Sequence, residues 1–468
     1  MKAAGSCGRI LSGAIAALAA IAAHAVPVIP GTAGYGVDTP AGRGGTVYRV
    51  TNINASGAGS LKACIDATGP RTCVFDVSGS IVLASDITIR NGNLTIAGQT
   101  APSPGIMIRG ATFAVHASDI LIQHLRFRVG DDASGPSPAN RDALKIEGAT
   151  DRVVQNVVID HCSFSWSIDE IASVWGPNDN ITFTNNIFAE PLNDSIHPTD
   201  DGAALEPHGF GVLLGSSATG GRVTMAGNLF AHIVERNPLS RSRELVFVNN
   251  LVYDRSNTDL DIQSQDGRVT MASVVGNQFL RGPSNVRTTK PIYVRTNGTF
   301  TLYAGSRVGL ENNFAPDTGS SLPEILGLTG GDIIPDLITT TSRPVWNAGL
   351  VVTGTTSSAI YESVLARAGA RPADRDSVDR RIVSNVRIRA GQTINCVSAD
   401  GSARCSRNGG GWPSYARNVR TLALPANHAT LTASGYSNLE LWLQQLDAQL
   451  AGVIQPAAPA APTLVSVQ

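Results

Sequence analysis

The sequence lacks any surplus of positive charge. Its 36 Lys and Arg nearly cancel its 37 Asp and Glu, whereas a nucleic-acid binder would carry a basic excess. It also lacks, anywhere after residue 25, an apolar run long enough to cross a bilayer, so no membrane anchor is expected. The apolar stretch Ile10 to Ala23 is itself too short to span. It follows Lys2 and Arg9 and ends in the small-x-small site Ala23-His24-Ala25. These features make residues 1–25 an export leader, with the remaining chain starting near Val26 and secreted to the periplasm or the medium. Without Lys2 and Arg9 the net charge is near −3, that is 36 less these two against 37. Cysteines are few, and none are spaced for zinc. Cys64 and Cys73 enclose eight residues, as do Cys396 and Cys405, so each pair fits a local disulfide in an oxidising compartment. Cys162, inside an apolar strand, is left over as a buried thiol.

What the chain has instead is a returning phrase: Asn186-Ile187-Phe188, Asn228-Leu229-Phe230, Asn250-Leu251-Val252 and Asn277-Gln278-Phe279, each after a β-rich run. Cys162-Ser163-Phe164 is an earlier copy without the Asn. Starting from Cys162, the steps are 24, 42, 22 and 27 residues. Steps in the twenties fit one turn of a parallel β-solenoid, and the longest fits a turn carrying an insertion. Turns would stack about 4.8 Å apart. An Asn at the same bend of successive turns can then satisfy its neighbours above and below, while the aromatic two residues on stacks in the core. A solenoid can run this long because each turn contacts only its neighbours.

The expected organisation is an all-β right-handed parallel β-helix over residues 26–455, with a looser C-terminal extension from about 317 and an Ala/Pro-rich tail over 456–468. Gly34 to Gly45 is an opening loop. Ser60 caps a short helix whose Leu61, Cys64 and Ile65 share a face, a lid for the open end of the coil. Short β-branched strands follow from Cys73 to Phe127. Three polar insertions, Asp131 to Arg141, Glu190 to Gly215 and Pro283 to Pro291, are expected on one face, carrying the binding work. Ser357 to Ala368 and Asn438 to Leu450 read as short helices.

Within this frame stand Val158-Ile159-Asp160-His161 and, farther on, Arg236-Asn237-Pro238-Leu239-Ser240-Arg241. With Gly57-Ala58-Gly59-Ser60-Leu61, Thr95-Ile96-Ala97-Gly98-Gln99-Thr100-Ala101-Pro102, Arg126-Phe127-Arg128, Ala368-Gly369-Ala370 and Arg375-Asp376-Ser377-Val378-Asp379, the ordered set resembles the pectate lyases of polysaccharide lyase family one. The first stretch matches that family's V-W-I-D-H strand without its Trp, and Arg236, Pro238 and Arg241 match R-x-P-x-x-R fully.

The resemblance implies cleavage of polygalacturonate by β-elimination with calcium. It gives Arg236 the role of base and Arg241 that of a substrate-carboxylate partner. Asp142 aligns with one family calcium ligand, Asp169 sits near the next, and Glu170 is adjacent. Chemistry alone makes Arg236 only an anion clamp, because its intrinsic pKa keeps it protonated. As a base it implies an alkaline optimum. Asn140 and Ser173 stand where relatives carry further carboxylates, which implies weaker calcium binding or calcium arriving with substrate. The loop Ser195 to Asp200 lacks the helper Lys, and His208 is the candidate replacement in binding substrate. Asp160 and His161 read as a buried structural pair, Trp166 and Trp175 as packing ahead of sugar platforms, with a place along the groove open to either, His197, His208 and His232 as ordinary loop or coil residues ahead of ligands, and Arg243 and Arg255 as solvated. The expected protein is a monomer without nucleic-acid or membrane partners. The rival readings are a non-catalytic carbohydrate-binding β-helix and a calcium-independent lyase of methyl-esterified pectin.

Overall fold

Short β-branched segments broken by Asn, Gly and Asp produce the coil. The computed structural model describes residues 26–215, 220–285, 290–319, 325–329, 336–354, 356–398 and 401–452. The leader over 1–25 and the tail over 456–468 lie outside them. Strands stack in three parallel sheets, a first of eleven, a second of eight and a third of nine. One turn runs through Ile120–Gln123, Leu125–Arg128 and Leu144–Glu147, and Val154–Asp160 opens the next beside Ile120–Gln123. Parallel strands joined by crossovers coil right-handed, and the molecule is a right-handed parallel β-helix.

The tight corner between the first and second sheets explains the repeated phrase. The residue before each repeated Asn is left-handed: Asn185, Gly227, Asn249, Gly276 and Asn312 have φ of 54°, 70°, 56°, 64° and 51°. Asn and Gly tolerate that region best. The following Asn residues form a ladder: Asn186, Asn228, Asn250 and Asn277 each donate from Nδ2 to the next amide oxygen, ending at Asn313, over 3.0, 3.0, 3.0 and 2.9 Å. Phe127, Phe164, Phe188 and Phe230 stack beside it at centroid spacings of 4.9, 5.3 and 5.2 Å. Asn228 also serves the buried Phe183 carbonyl and the Asn186 amide. Asn228→Ala therefore strands several buried groups and is expected to cost about 2–3 kcal/mol in denaturant unfolding. A loss within 0.5 kcal/mol would show the ladder to be incidental.

Helix α1 (Leu61–Asp66) closes the N-terminal end. Ser60 Oγ accepts from the Ala63 amide at 3.2 Å, and Leu61, Cys64 and Ile65 are buried. The fully buried Arg71 donates to the Cys64 and Ile65 carbonyls at 2.8 and 2.7 Å, satisfying that helix's last turn. Both disulfides form, Cys64–Cys73 and Cys396–Cys405, and Cys162 is free and buried.

Coiling continues past residue 317, through Leu326–Thr329 and Ile338–Thr339, farther than the thinning sequence pattern implied. Helix α2 (Ser357–Arg367), helix α3 (Ser377–Ile388) and helix α4 (Asn438–Leu450) follow. Arg255 corrects an expectation. It is 1% exposed rather than solvated, 2.5 Å from the buried Asp259, whose carboxyl burial pushes up to about 7.

Candidate active site

The corner between the second and third sheets is loose, and the three insertions expected from the sequence leave the coil there. Asp142, the pair Asp169 and Glu170, His208 and Arg236 occupy this corner on successive turns. Each lies just ahead of a third-sheet strand: Leu144–Glu147, Ala172–Trp175, Val212–Leu214 and Leu239–Ser240. Leu144 is opposite Ala172, and Ala172 opposite Val212. The register thus brings Asp142, Glu170 and Phe210 above one another. Phe210 pairs with Glu235, yet Leu213 pairs with Leu239, so the Arg236 turn holds one extra residue. Such a bulge re-aims a side chain, and Arg236 itself is left-handed at φ 65°, ahead of the cis Asn237–Pro238 bond.

The Arg236 guanidinium forms an ion pair with Glu170 and lies 4.1 Å over the Phe210 ring. Burial pushes its pKa down to about 10; Asp169 pulls the other way and Arg241 adds repulsion. The Glu170 amide donates to Asp142 Oδ1 at 3.3 Å, and the Ser173 hydroxyl donates to Asp142 Oδ2. Burial raises the Asp142 carboxyl well above its ordinary range, and the charge of Asp169 adds to this. Arg141, buried beside it, donates to the Gly130 and Asp132 carbonyls at 3.3 and 2.9 Å and so pins the first insertion.

Carboxylate oxygens of Asp142, Asp169 and Glu170 lie within 4.8 Å of one another. Three carboxyl groups whose hard oxygens lie this close fit a hard divalent cation such as calcium. A second group, Asp169 with His197 and His208, is equally close. Its two rings stack at 3.7 Å, only 9° from parallel, so one ion could not lie in both ring planes. This group reads as a stacked wall: His208 Nε2 is 3.0 Å from Asp169 Oδ1, and the Phe210 ring lies 4.0 Å beyond His208. His197 titrates below its ordinary value because it is buried and faces His208. Asp169, Glu170, His197, His208 and Arg236 line a cleft of about 600 Å³ with Asn140, Asp200 and Asp201, and the buried Asp142 lies behind Glu170.

Sequence comparison decides the family. Over 441 residues the chain is 30% identical to a probable pectate lyase C of Neosartorya fischeri, covering 91% of this chain and 95% of the relative. A probable pectate lyase C of Aspergillus terreus is 30% identical over 436 residues, covering 90% and 94%. The chain belongs to the pectate lyase family. No family model matches it. Among solved structures, the major cedar pollen allergen jun a 1 superposes with a TM-score of 0.51 at 17% identity, covering 72% of this chain and 92% of the allergen, a likeness of fold.

Within this pectate lyase fold the expected site residues do not all meet. Asp142, Asp169, Glu170, His208 and Arg236 do. Arg241 lies past the end of the Leu239–Ser240 strand, donating to Gln263 Oε1 at 2.9 Å and covering the Phe300 ring at 3.6 Å. Asp160 and His161 are apart from the cleft, as expected. They are paired at 2.8 Å, and His161 stacks on His124, which holds Asp447 of α4 at 2.7 Å. His232 is buried against Asp254 at 2.6 Å, a structural pair. His197, expected to be an ordinary loop residue, instead lines the cleft. Trp166 is buried packing, but Trp175 is 38% exposed, in a groove that adjoins the cleft. The His197–His208 contact escaped the sequence because it joins two ends of an irregular loop, where no periodicity fixes which side chains meet.

Proposed function

We propose that the protein is an exported lyase that cleaves polygalacturonate by calcium-assisted β-elimination. One observation carries this: a cation of lowered pKa, Arg236, is held against Glu170 in one cleft with Asp169, and the buried Asp142 stands behind these two carboxylates. A cleft with Asp169, Glu170, Asp200, Asp201 and Glu206 on its walls repels a polyuronate unless a divalent cation lies between them. Asp142, Asp169 and Glu170 would hold calcium, which when bound supplies Lewis-acid stabilisation of charge on the uronate carboxylate.

The remaining chemistry falls to the chain itself. Arg236 removes the C5 proton beside the carboxylate, the electron pair forms the C4–C5 double bond as the C4–O glycosidic bond breaks, and the departing oxygen takes a proton from water in the cleft. Burial favours the neutral guanidine, while Glu170 and the Phe210 ring face favour the cation. Basicity therefore requires Glu170 to turn away from the guanidinium. His208 braces Asp169 and walls the cleft. The two disulfides support an oxidising destination, in keeping with the leader read from residues 1–25.

With demethylated polygalacturonate, removing calcium with a chelator is expected to lower the release of unsaturated uronide about a hundredfold or more, and added calcium should restore it. A rate indifferent to the chelator would instead favour the calcium-independent reading.

A further inference from the structure

The outward face of the third sheet continues beyond the acidic cluster. Lys145 is opposite Ser173 and Glu147 opposite Trp175, so all four side chains project from the same face on adjacent turns. They border a groove of about 250 Å³ that shares Asn140, Asp169 and Glu170 with the larger cleft. The two spaces thus adjoin at these three residues, with Arg236 on the wall of the larger.

Two side chains in this groove leave their polar heads open to it, although the Lys145 charge also favours the Asp142 carboxylate. Lys145 is half-buried, yet neither its ammonium nor the indole N–H of Trp175 has a hydrogen bond or ion pair to any described residue. Glu147 does not claim Lys145, since it lies 3.3 Å from His116 Nε2. Trp175 is 38% exposed although it lies at the end of a strand otherwise buried. Its ring lies over Gly215 of the next turn, where an added Cβ would come within 2.5 Å of it. The glycine lets the indole lie across the sheet with one face open to the groove.

We propose that Lys145 and Trp175 form a further sugar subsite, which takes the galacturonate next along the chain from the residue at Arg236. The indole face covers the C–H face of the sugar ring, and the Lys145 ammonium pairs with its carboxylate. A flat aromatic beside a lone cation suits a uronate, and suits a neutral sugar or a methyl ester less well. This rests on the polygalacturonate reading above, and it adds that the subsite sets affinity and the preference for free carboxylates.

The test pairs turnover with binding. Trp175→Ala is expected to raise KM for polygalacturonate about tenfold, with kcat held within about twofold. Lys145→Met should raise it about fivefold and narrow the discrimination against methyl-esterified chains. Trp175→Phe should recover most of the loss, and Gly215→Ala, which tilts the indole, should reproduce part of it. Calorimetric titration of long oligogalacturonates into an Arg236→Ala background reads the same affinity losses without turnover. Unchanged Kd and KM in both Trp175→Ala and Lys145→Met would overturn the subsite. A wild-type protein that binds these oligomers through Trp175 yet releases no unsaturated product would overturn the lyase reading and leave the subsite standing.

Discussion

Arg236→Lys is expected to lower kcat on polygalacturonate by about a thousandfold while leaving the melting temperature within a degree or two. Removal of a positioned base typically costs about 10²–10⁴ in rate. The substitution keeps a positive charge but loses the planar group that lies 4.1 Å over Phe210 and meets Glu170. A flexible ammonium is a hydrated point charge and does not reproduce that stacked, oriented pose. Stability should hold because the Arg236 side chain is 22% exposed at a loose corner, away from the asparagine ladder. If Arg236 only clamped the substrate carboxylate, lysine would retain much of the function, and the loss would appear in KM rather than in kcat.

Asp379→Ala is expected to produce the largest stability loss, about 3–5 kcal/mol by denaturant unfolding, because it breaks a buried charge network. Arg126 and Arg128 are fully buried on the outer face of the second sheet. Asp379 Oδ2 accepts from Arg126 Nε at 3.2 Å and from the Ser163 hydroxyl at 2.8 Å, and Asp379 Oδ1 accepts from Arg128 Nη2 at 2.8 Å. Asp376, which caps α3, binds Arg128 at 3.0 Å and accepts from the Tyr415 hydroxyl at 2.8 Å. Burial works against charge on Asp376, but the two guanidiniums outweigh it and hold its carboxyl far below the usual range. Removing Asp379 would leave two buried cations sharing one carboxylate. The same unfolding measurement on Asp66→Ala, which removes an exposed carboxylate paired with Lys62 one turn earlier on α1, should show about 1 kcal/mol or less. Equal effects would argue that the network does not hold the C-terminal helices to the coil.

These two sites mark the limits of what was legible in the sequence. The coil was legible because its Asn and Phe recur with the turn, and stacking repeats the same local demand each time. That frame also put Asp142 and Asp169 on neighbouring turns of one face, and the register of the third sheet sets Glu170, one residue on, opposite Asp142. Arg126-Phe127-Arg128 and Asp376 to Asp379 were visible as stretches, but not as partners, since their pairing spans about 250 residues of sequence. Helix α3 was missed for a related reason. Its buried face includes Asp379 with Val378, Ile382, Val383 and Val386, so a charged residue interrupts the apolar stripe that marks a helix. Arg255 misled in the same way, a charged residue whose buried partner stands four positions on. Trp175 is the converse, a large apolar side chain that an average expectation places inside and that lies open in the groove.

The role of Arg236 is tested most directly by the pH dependence of kcat/KM on calcium-saturated polygalacturonate, wild type beside Arg236→Lys. A base acts only when deprotonated, and burial brings this guanidinium down to about 10. The wild-type rate should therefore climb about tenfold per pH unit on the alkaline side and level off near that value. The lysine variant should be slower throughout, with its rising limb displaced. A wild-type profile flat from neutral pH upward, or one shared unchanged by the variant, would contradict the assignment of Arg236 as the base.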